Sequence, residues 1–270
     1  MSTSPNRSES TALIVGSSPS APICSAWDLP HVIKIGLNNA WRLRPDFDYS
    51  FYPGDFPEQR RPPPDLPVRQ VSIDEYLPFL ENAGGRVFVG PTVAFASGYW
   101  AVAALKPAVL GYVGCDMTYD QTADGRTHFY GQGKADPLRA NVALRSLEAK
   151  SCRLLLKALV DGVLIVNVSK QPATRLSFPR AGHELLGDNK RGAALRDAVL
   201  KLPVMKELKQ AVLQIEEKEQ RSSFARCRPG KIVPTDEVLT LIDALDQEWL
   251  QLHAYVGAVK YAEAVEKETL

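Results

Sequence analysis

Residues 11–20 read TALIVGSSPS, and residues 109–116 read VLGYVGCD. Each segment is an apolar run of strand length that ends in glycine and gives way at once to small or polar residues. A run of five apolar residues without polar alternation suits a strand buried on both faces, as the strands of a parallel sheet are. The closing glycines mark tight turns. Further strands are expected at residues 31–37 (HVIKIGL), 48–52, 85–89 (GRVFV) and 163–168 (VLIVNV). Helices are expected at residues 73–82, at 97–105 (SGYWAVAAL), and at 141–159, where Leu144, Leu147, Leu154, Leu155 and Leu159 recur on one face. Residues 57–67 hold five prolines and form an extended surface loop.

Strands that alternate with helices predict an α/β fold with a doubly wound, mostly parallel, Rossmann-like sheet. After about residue 180 the pattern becomes helical. Residues 193–221 and 235–268 each carry apolar side chains at helical spacing and are joined by a Cys-Arg-Pro-Gly loop, which predicts a C-terminal αα-hairpin. The expected organisation is a polar, disordered leader at 1–10, a nucleotide-binding domain at 11–180 and the helical hairpin at 190–270. The hairpin packs on the sheet domain or, as the alternative, forms a homo-oligomer contact.

Composition narrows the function classes. Hydrophobic residues make up 45% and charged residues 23% of the chain, which is ordinary globular usage. A formal net charge of +1 gives no basic field for a nucleic-acid partner. The four cysteines (Cys24, Cys115, Cys152, Cys227) are widely spaced with no CxxC pair, so they read as free thiols in a reducing, cytoplasmic setting and not as a zinc site. No apolar run reaches the roughly 20 residues of a membrane span, and the first ten residues lack the apolar core of a signal peptide.

In doubly wound sheets ligands bind beyond the carboxyl ends of the strands. The residues expected there are Gly16, Ser17, Ser18, Pro19 and Ser20, then Asn38 and Asn39, then Asp55, then Ser97 and Gly98, then Gly114, Cys115 and Asp116. The loop 16–20 leaves backbone N–H groups to meet an anion, or is a plain strand-to-helix turn. The amides of Asn38 and Asn39 suit a base or sugar edge, or cap a turn. Asp46 and Asp48 have the spacing of a metal-binding D-x-D, although Asp55 is the better-placed carboxylate. Residues 114–139 are the densest in polar and aromatic groups, gathering Asp116, Tyr119, Asp120, His128, Tyr130, Asp136 and Arg139. His128 suits a general base near neutral pH, and Tyr119 and Tyr130 suit donors to a departing phosphate oxygen. Arg175 and Arg180 follow the last strand and suit a clamp on a carboxylate or phosphate. His31, His183 and His253 lack such company and read as structural.

Three strings, residues 13–20 (LIVGSSPS), 96–119 (ASGYWAVAALKPAVLGYVGCDMTY) and 127–139 (THFYGQGKADPLR), together resemble the bacterial lipooligosaccharide sialyltransferases. They are similar to that family's strand-GxGPS opening, its TSG–helix–strand–SGxDxY segment and its SHYxG segment. The opening is also similar to that of a related group, the pterin pyrophosphokinase-like and motility-accessory glycosyltransferase proteins, whose later Pro-Asp and Asp elements Pro45-Asp46 and Asp55 echo. The resemblance covers about residues 11–160. It implies a CMP-sugar site in which Gly16, Ser17 and Ser20 approach the phosphate or ribose and Asn38 or Asn39 contacts the nucleotide. Ser97, Gly98, Gly114 and Asp116 then line the cytosine–ribose pocket. It further implies that Tyr119 supports the leaving phosphate, with Tyr130 in the place of the family's second phosphate-binding tyrosine, and that His128 deprotonates the acceptor, here a glycan or a small molecule. Arg139, with Arg175 and Arg180, is a candidate for binding substrate. Such a transferase needs no cofactor and no metal. Two other classes are expected as competitors: a Mg²⁺-dependent, pyrophosphokinase-like phosphoryl transferase using Asp55 or Asp116, and a non-enzymatic nucleotide-binding or assembly protein with the hairpin as partner surface.

Overall fold

The computed structural model describes residues 9–90, 92–118, 121–132, 146–222 and 235–258. Six strands form one sheet: β1 (Thr11–Val15), β2 (Ile33–Leu37), β3 (Tyr49–Phe51), β4 (Arg69–Val71), β5 (Val109–Val113) and β6 (Leu164–Asn167). Every pairing is parallel, and the order across the sheet is β4-β3-β2-β1-β5-β6. The chain begins in the middle of the sheet, steps outward through β2, β3 and β4, then crosses back to place β5 on the other side of β1. Val15 pairs with Gly36 on one side and with Val113 on the other. The winding therefore reverses between β1 and β5, and their carboxyl ends diverge into a crevice. Both strands are buried along their whole length, which explains their unbroken apolar sequences.

Helices cover both faces. Successive residues of β5 show it, because neighbouring strand side chains point to opposite sides. Gly111 faces α5 (Glu184–Gly187), where a Cβ would come within 2.6 Å of Leu186. Tyr112 faces α3 (Val93–Trp100) and donates its hydroxyl hydrogen to the Ala94 carbonyl at 3.1 Å. The sheet is thus doubly wound, as its sequence pattern predicts. Among the described residues no helix is long and apolar enough to cross a membrane.

Several elements differ from expectation. Residues 85–89 are not a strand: Arg86–Val89 form a short helix, α2, behind α1 (Ile73–Asn82). Gly84 and Gly85 reverse the chain there with φ of 105° and 88°. A four-residue apolar run is buried equally well as a helical turn or as a strand, so its composition does not discriminate. The edge strand β4 has only three residues and follows the proline-rich loop. Helix α3 begins at Val93 and not at Ser97, because the Thr92 hydroxyl accepts from the Phe95 N–H at 3.2 Å and caps it. It continues as a π-turn at Ala101–Leu105. The expected helix at 141–159 is α4 (Leu147–Val160), capped by the Ser146 hydroxyl, with 141–145 outside the described residues. The single helix expected at 193–221 is two, α6 (Asn189–Leu200) and α7 (Val204–Arg221). Pro203 parts them, since it has no N–H to donate and disfavours helical backbone at Leu202. Residues 1–8 lie outside the described ones, but Ser10 already belongs to the fold: it is buried, and its carbonyl accepts from the Ala108 N–H at 2.7 Å.

The hairpin of α7 and α8 (Asp236–Ala258) packs on α4, so it extends the same core. Leu208, Val212 and Ile215 of α7 and Ile242, Leu245 and Trp249 of α8 are buried with the leucines of α4. Polar links cross the same seam. Lys150 pairs with Asp246 at 2.6 Å, Lys157 pairs with Glu216, and Arg153 pairs with Glu219 at 2.6 Å. The chain carries free, buried thiols at Cys24, Cys115 and Cys152, while Cys227 is outside the described residues.

Candidate functional site

At the carboxyl edge of the sheet, where the winding reverses, lies a cleft of about 550 Å³. That volume suits a nucleotide-sized ligand. Residues 16–19 after β1, Leu37 and Asn38 at the end of β2, Pro53 and Asp55 after β3, and residues 114–118 after β5 line it. Thr92, Val93 and Ala94 at the start of α3, Arg86, Gln171 and the loop bearing His128 complete the wall.

The floor is a close approach of two backbones. Gly16 N–H donates to the Val113 carbonyl at 2.8 Å, and Ser18 N–H donates to the Gly114 carbonyl at 2.9 Å. A Cβ on Gly16 would stand 2.2 Å from the Gly114 oxygen and 2.5 Å from the Cys115 Sγ. Gly114 itself has a φ of 69°. Alanine at position 16 must push the end of β1 away from that of β5, and overpacking of this kind costs about 1–3 kcal/mol. Gly16→Ala should lower the urea midpoint accordingly. An unshifted midpoint would show that the strand ends part without cost.

This stitching corrects one expectation. The N–H groups of Gly16 and Ser18 are engaged with β5 and do not form an open anion cradle. What the loop contributes is hydroxyl groups: Ser18 Oγ and Ser20 Oγ donate to Asp116 Oδ2 at 3.2 and 3.1 Å. Asp116 is only 2% exposed, yet its Oδ1 has no hydrogen-bond partner. Ser20 therefore acts through Asp116 and does not itself line the cleft. Asn38 lines the cleft in the left-handed region with a φ of 53°, and its Oδ1 is likewise buried without a partner. Asn39 is buried beside it but off the lining.

Ser97 and Gly98 are not brought to the cleft. The Ser97 hydroxyl donates to the Ala94 carbonyl at 3.0 Å, and Gly98 gives room to the Tyr112 hydroxyl and to Leu154. Both sit inside α3 because the helix starts four residues earlier than expected. Its true beginning takes their place, and the N–H groups of Val93 and Ala94 precede the first intrahelical bond.

His128 reaches the cleft from a small hairpin-like bridge. Its backbone exchanges hydrogen bonds with Gly131 at 3.0 and 3.1 Å, and Phe129 N–H donates to the Ser17 carbonyl at 3.1 Å, which ties the loop to the β1 turn. Thr127 Oγ1 and His128 Nδ1 are 2.9 Å apart. Among the described residues Nε2 has no hydrogen-bond partner. Burial holds the imidazole below its ordinary pKa, which favours its neutral form. Tyr130 is exposed, lies off the lining and stacks on His128 with ring centroids 5.0 Å apart. Tyr119, Asp120, Asp136 and Arg139 lie outside the described residues.

The expected arginine clamp is not assembled. Arg175 is committed to Glu148 through Nε at 2.7 Å and Nη2 at 3.0 Å. Arg180 donates to the carbonyls of Ser169 at 2.5 Å and Gln171 at 2.6 Å. Among the described residues the cation on the cleft is Arg86, which a strand at 85–89 would place in the sheet. The D-x-D pair is structural: Arg44 and Lys34 hold Asp46 at a pKa of about 2, and Asp48 accepts from the Lys34 N–H at 2.7 Å. His183 stacks on Trp27 at 4.4 Å, and His253 meets the Ser177 carbonyl at 3.1 Å. Among the described residues no cluster of three His, Cys, Asp or Glu could hold a metal ion. Comparison with protein-family models, curated proteins and solved structures finds no match.

Proposed function

We propose that the chain transfers a sugar from a CMP-activated donor to an acceptor hydroxyl in this cleft, with His128 as the general base. The observation that carries this is Asp116 Oδ1, a buried carboxylate oxygen left without a partner on the cleft wall. A carboxylate only accepts, and a buried acceptor without a donor costs free energy until a ligand supplies one. Asn38 Oδ1 presents the same demand. Ribose hydroxyls and the cytosine amino group are donors of the required kind. The N–H groups at the start of α3 favour phosphate oxygens on the same wall.

In the proposed step His128 Nε2 takes the acceptor hydroxyl proton as that oxygen attacks the anomeric carbon. The bond from that carbon to the phosphate oxygen breaks, its electron pair leaves with CMP, and the sugar inverts through an oxocarbenium-like transition state. Asp55 lines the same cleft as Asp116, and a pair of carboxylates is what favours the competing Mg²⁺-dependent phosphoryl transfer.

Calorimetric titration of CMP, CDP, ATP and GTP, with and without Mg²⁺, separates the readings. CMP or CDP should bind regardless of Mg²⁺, and Asp116→Asn should weaken that binding about 10-fold or more, the worth of a hydrogen bond to a charged group. ATP or GTP binding that requires Mg²⁺ would replace sugar transfer by phosphoryl transfer. Silence with all four nucleotides would sink both.

A further inference from the structure

We propose that a second cavity beside the cleft receives the apolar branch of a small carboxylic acid that also carries a hydroxyl or ammonium group. This cavity of about 270 Å³ shares Pro53, Asp55, Arg86 and Val93 with the large cleft. Among the described residues its only charged lining is Asp55 and Arg86, and both stand on that shared wall. Beyond them the lining is Ile73, Tyr76 and Leu80 of α1 and Ala96 of α3, with Gly54 and Gly90.

The division of chemistry is what identifies the occupant. No hydrogen bond or ion pair joins the Arg86 or Asp55 side chain to any described residue. Arg86 is half-buried, and its planar fork matches a carboxylate. Asp55 is exposed at the mouth of the cavity and only accepts, so it suits a donor group elsewhere on the same ligand. Two opposite charges on the wall shared by the two cavities thus fit an acid that also bears a hydroxyl or ammonium group. Ile73, Leu80, Val93 and Ala96 behind them offer a water molecule few partners, and apolar surface of this kind takes hydrocarbon instead. Since a water occupies about 30 Å³ in the liquid, the space admits a branch of several carbons. The inference rests on the sugar-transfer reading only in casting this acid as the acceptor, whose reacting hydroxyl would extend into the cleft. The binding itself does not depend on a donor.

The test titrates the protein alone with lactate, 2-hydroxybutyrate, 2-hydroxypentanoate and 2-hydroxyhexanoate, followed by ligand-observed NMR. Affinity should rise about fourfold per added methylene, as burial of a CH₂ group predicts. Arg86→Gln should weaken every member by a similar factor of about 10. Gly54→Val should flatten the series while leaving lactate unchanged, since its Cβ meets Ile73 at an ordinary 3.4 Å and no positive φ opposes it. Ala96→Leu fills the cavity from the opposite wall and gives the same test should one variant fold poorly, which a thermal melt reports. A series of equal affinities, or a slope that survives in both filled variants, would overturn the subsite. CMP titration of the parent protein, beside its own acid series, keeps the two ideas apart. A flat series with CMP binding intact removes the subsite alone, and a steep series without CMP binding removes the sugar-transfer reading alone.

Discussion

Arg153→Leu should lower the unfolding free energy by about 3–5 kcal/mol, the range for removing one partner of a buried ion pair. Arg153 is fully buried on α4, between the sheet domain and the hairpin. Its Nε and Nη2 reach both Glu219 oxygens at 2.9 and 2.6 Å, Nη1 donates to the Tyr99 hydroxyl at 2.7 Å, and Nη2 also donates to the Ala83 carbonyl at 2.6 Å. The Tyr99 and Trp249 rings flank the guanidinium at 5.6 and 5.4 Å. Without it, Glu219 at 1% exposure would keep its charge in the core with only Trp249 Nε1, at 2.8 Å, as a strong donor. Lysine is not an equivalent, because one ammonium cannot span the two Glu219 oxygens, Tyr99 and Ala83 together. The double variant Arg153→Leu/Glu219→Met should recover most of the loss, since it leaves neither charge behind. Urea denaturation of the three proteins measures this. A single variant within about 0.5 kcal/mol of the parent, the range of surface substitutions, would show that the hairpin is held by its apolar contacts alone.

The parts of the fold that were legible are those where one local signal suffices. Residues 11–15 and 109–113 are buried on both faces, so their unbroken apolar runs announce central strands. The rule that ligands meet the carboxyl ends of such strands then points to Gly16, Asn38, Asp55, Gly114 and Asp116, all of which line the cleft. The failures follow one another just as directly. Treating residues 85–89 as a strand made Ser97 look like the residue that follows a strand, and it concealed Arg86 in a supposed sheet. The Thr92 cap was the signal that could have corrected this, because a threonine three residues ahead of Phe95 starts the helix early. The partners of Arg175 and Arg180 are a different matter. Glu148 lies 27 residues from Arg175 in sequence, and only the packing of α4 against the segment after β6 brings them together. Gly16 does line the cleft, but backbone approach to Gly114 is what requires it there, and the group the turn presents to the cleft is the carboxylate that the following serines hold.

His128→Ala should reduce turnover about 10²- to 10⁴-fold under the proposed mechanism, the usual contribution of a positioned general base, while CMP affinity stays within about twofold. The pattern of the two changes matters more than the size of either. A residue that only props the cleft would alter binding and turnover together, whereas a base acts on a proton that moves only in the transition state. The hydrogen bond between Thr127 and Nδ1 leaves Nε2 as the ring nitrogen free to meet the acceptor. For Nε2 to accept a proton, Nδ1 must carry the other one and donate it to Thr127 Oγ1, 2.9 Å away. Thr127→Val removes that acceptor and should lower turnover less than His128→Ala does, with CMP binding again unchanged. Burial disfavours the imidazolium, so the folded pKa lies below the ordinary value of 6.5. The base form then persists into mildly acidic solution, and the rate should fall only as pH drops through that lowered value. The acid limb of kcat/KM should accordingly have its midpoint below about 6.5 and should disappear from the residual activity of His128→Ala. An acid limb that survives the substitution would assign the titrating base elsewhere, and Asp55, a carboxylate on the same cleft, would be the group to replace next.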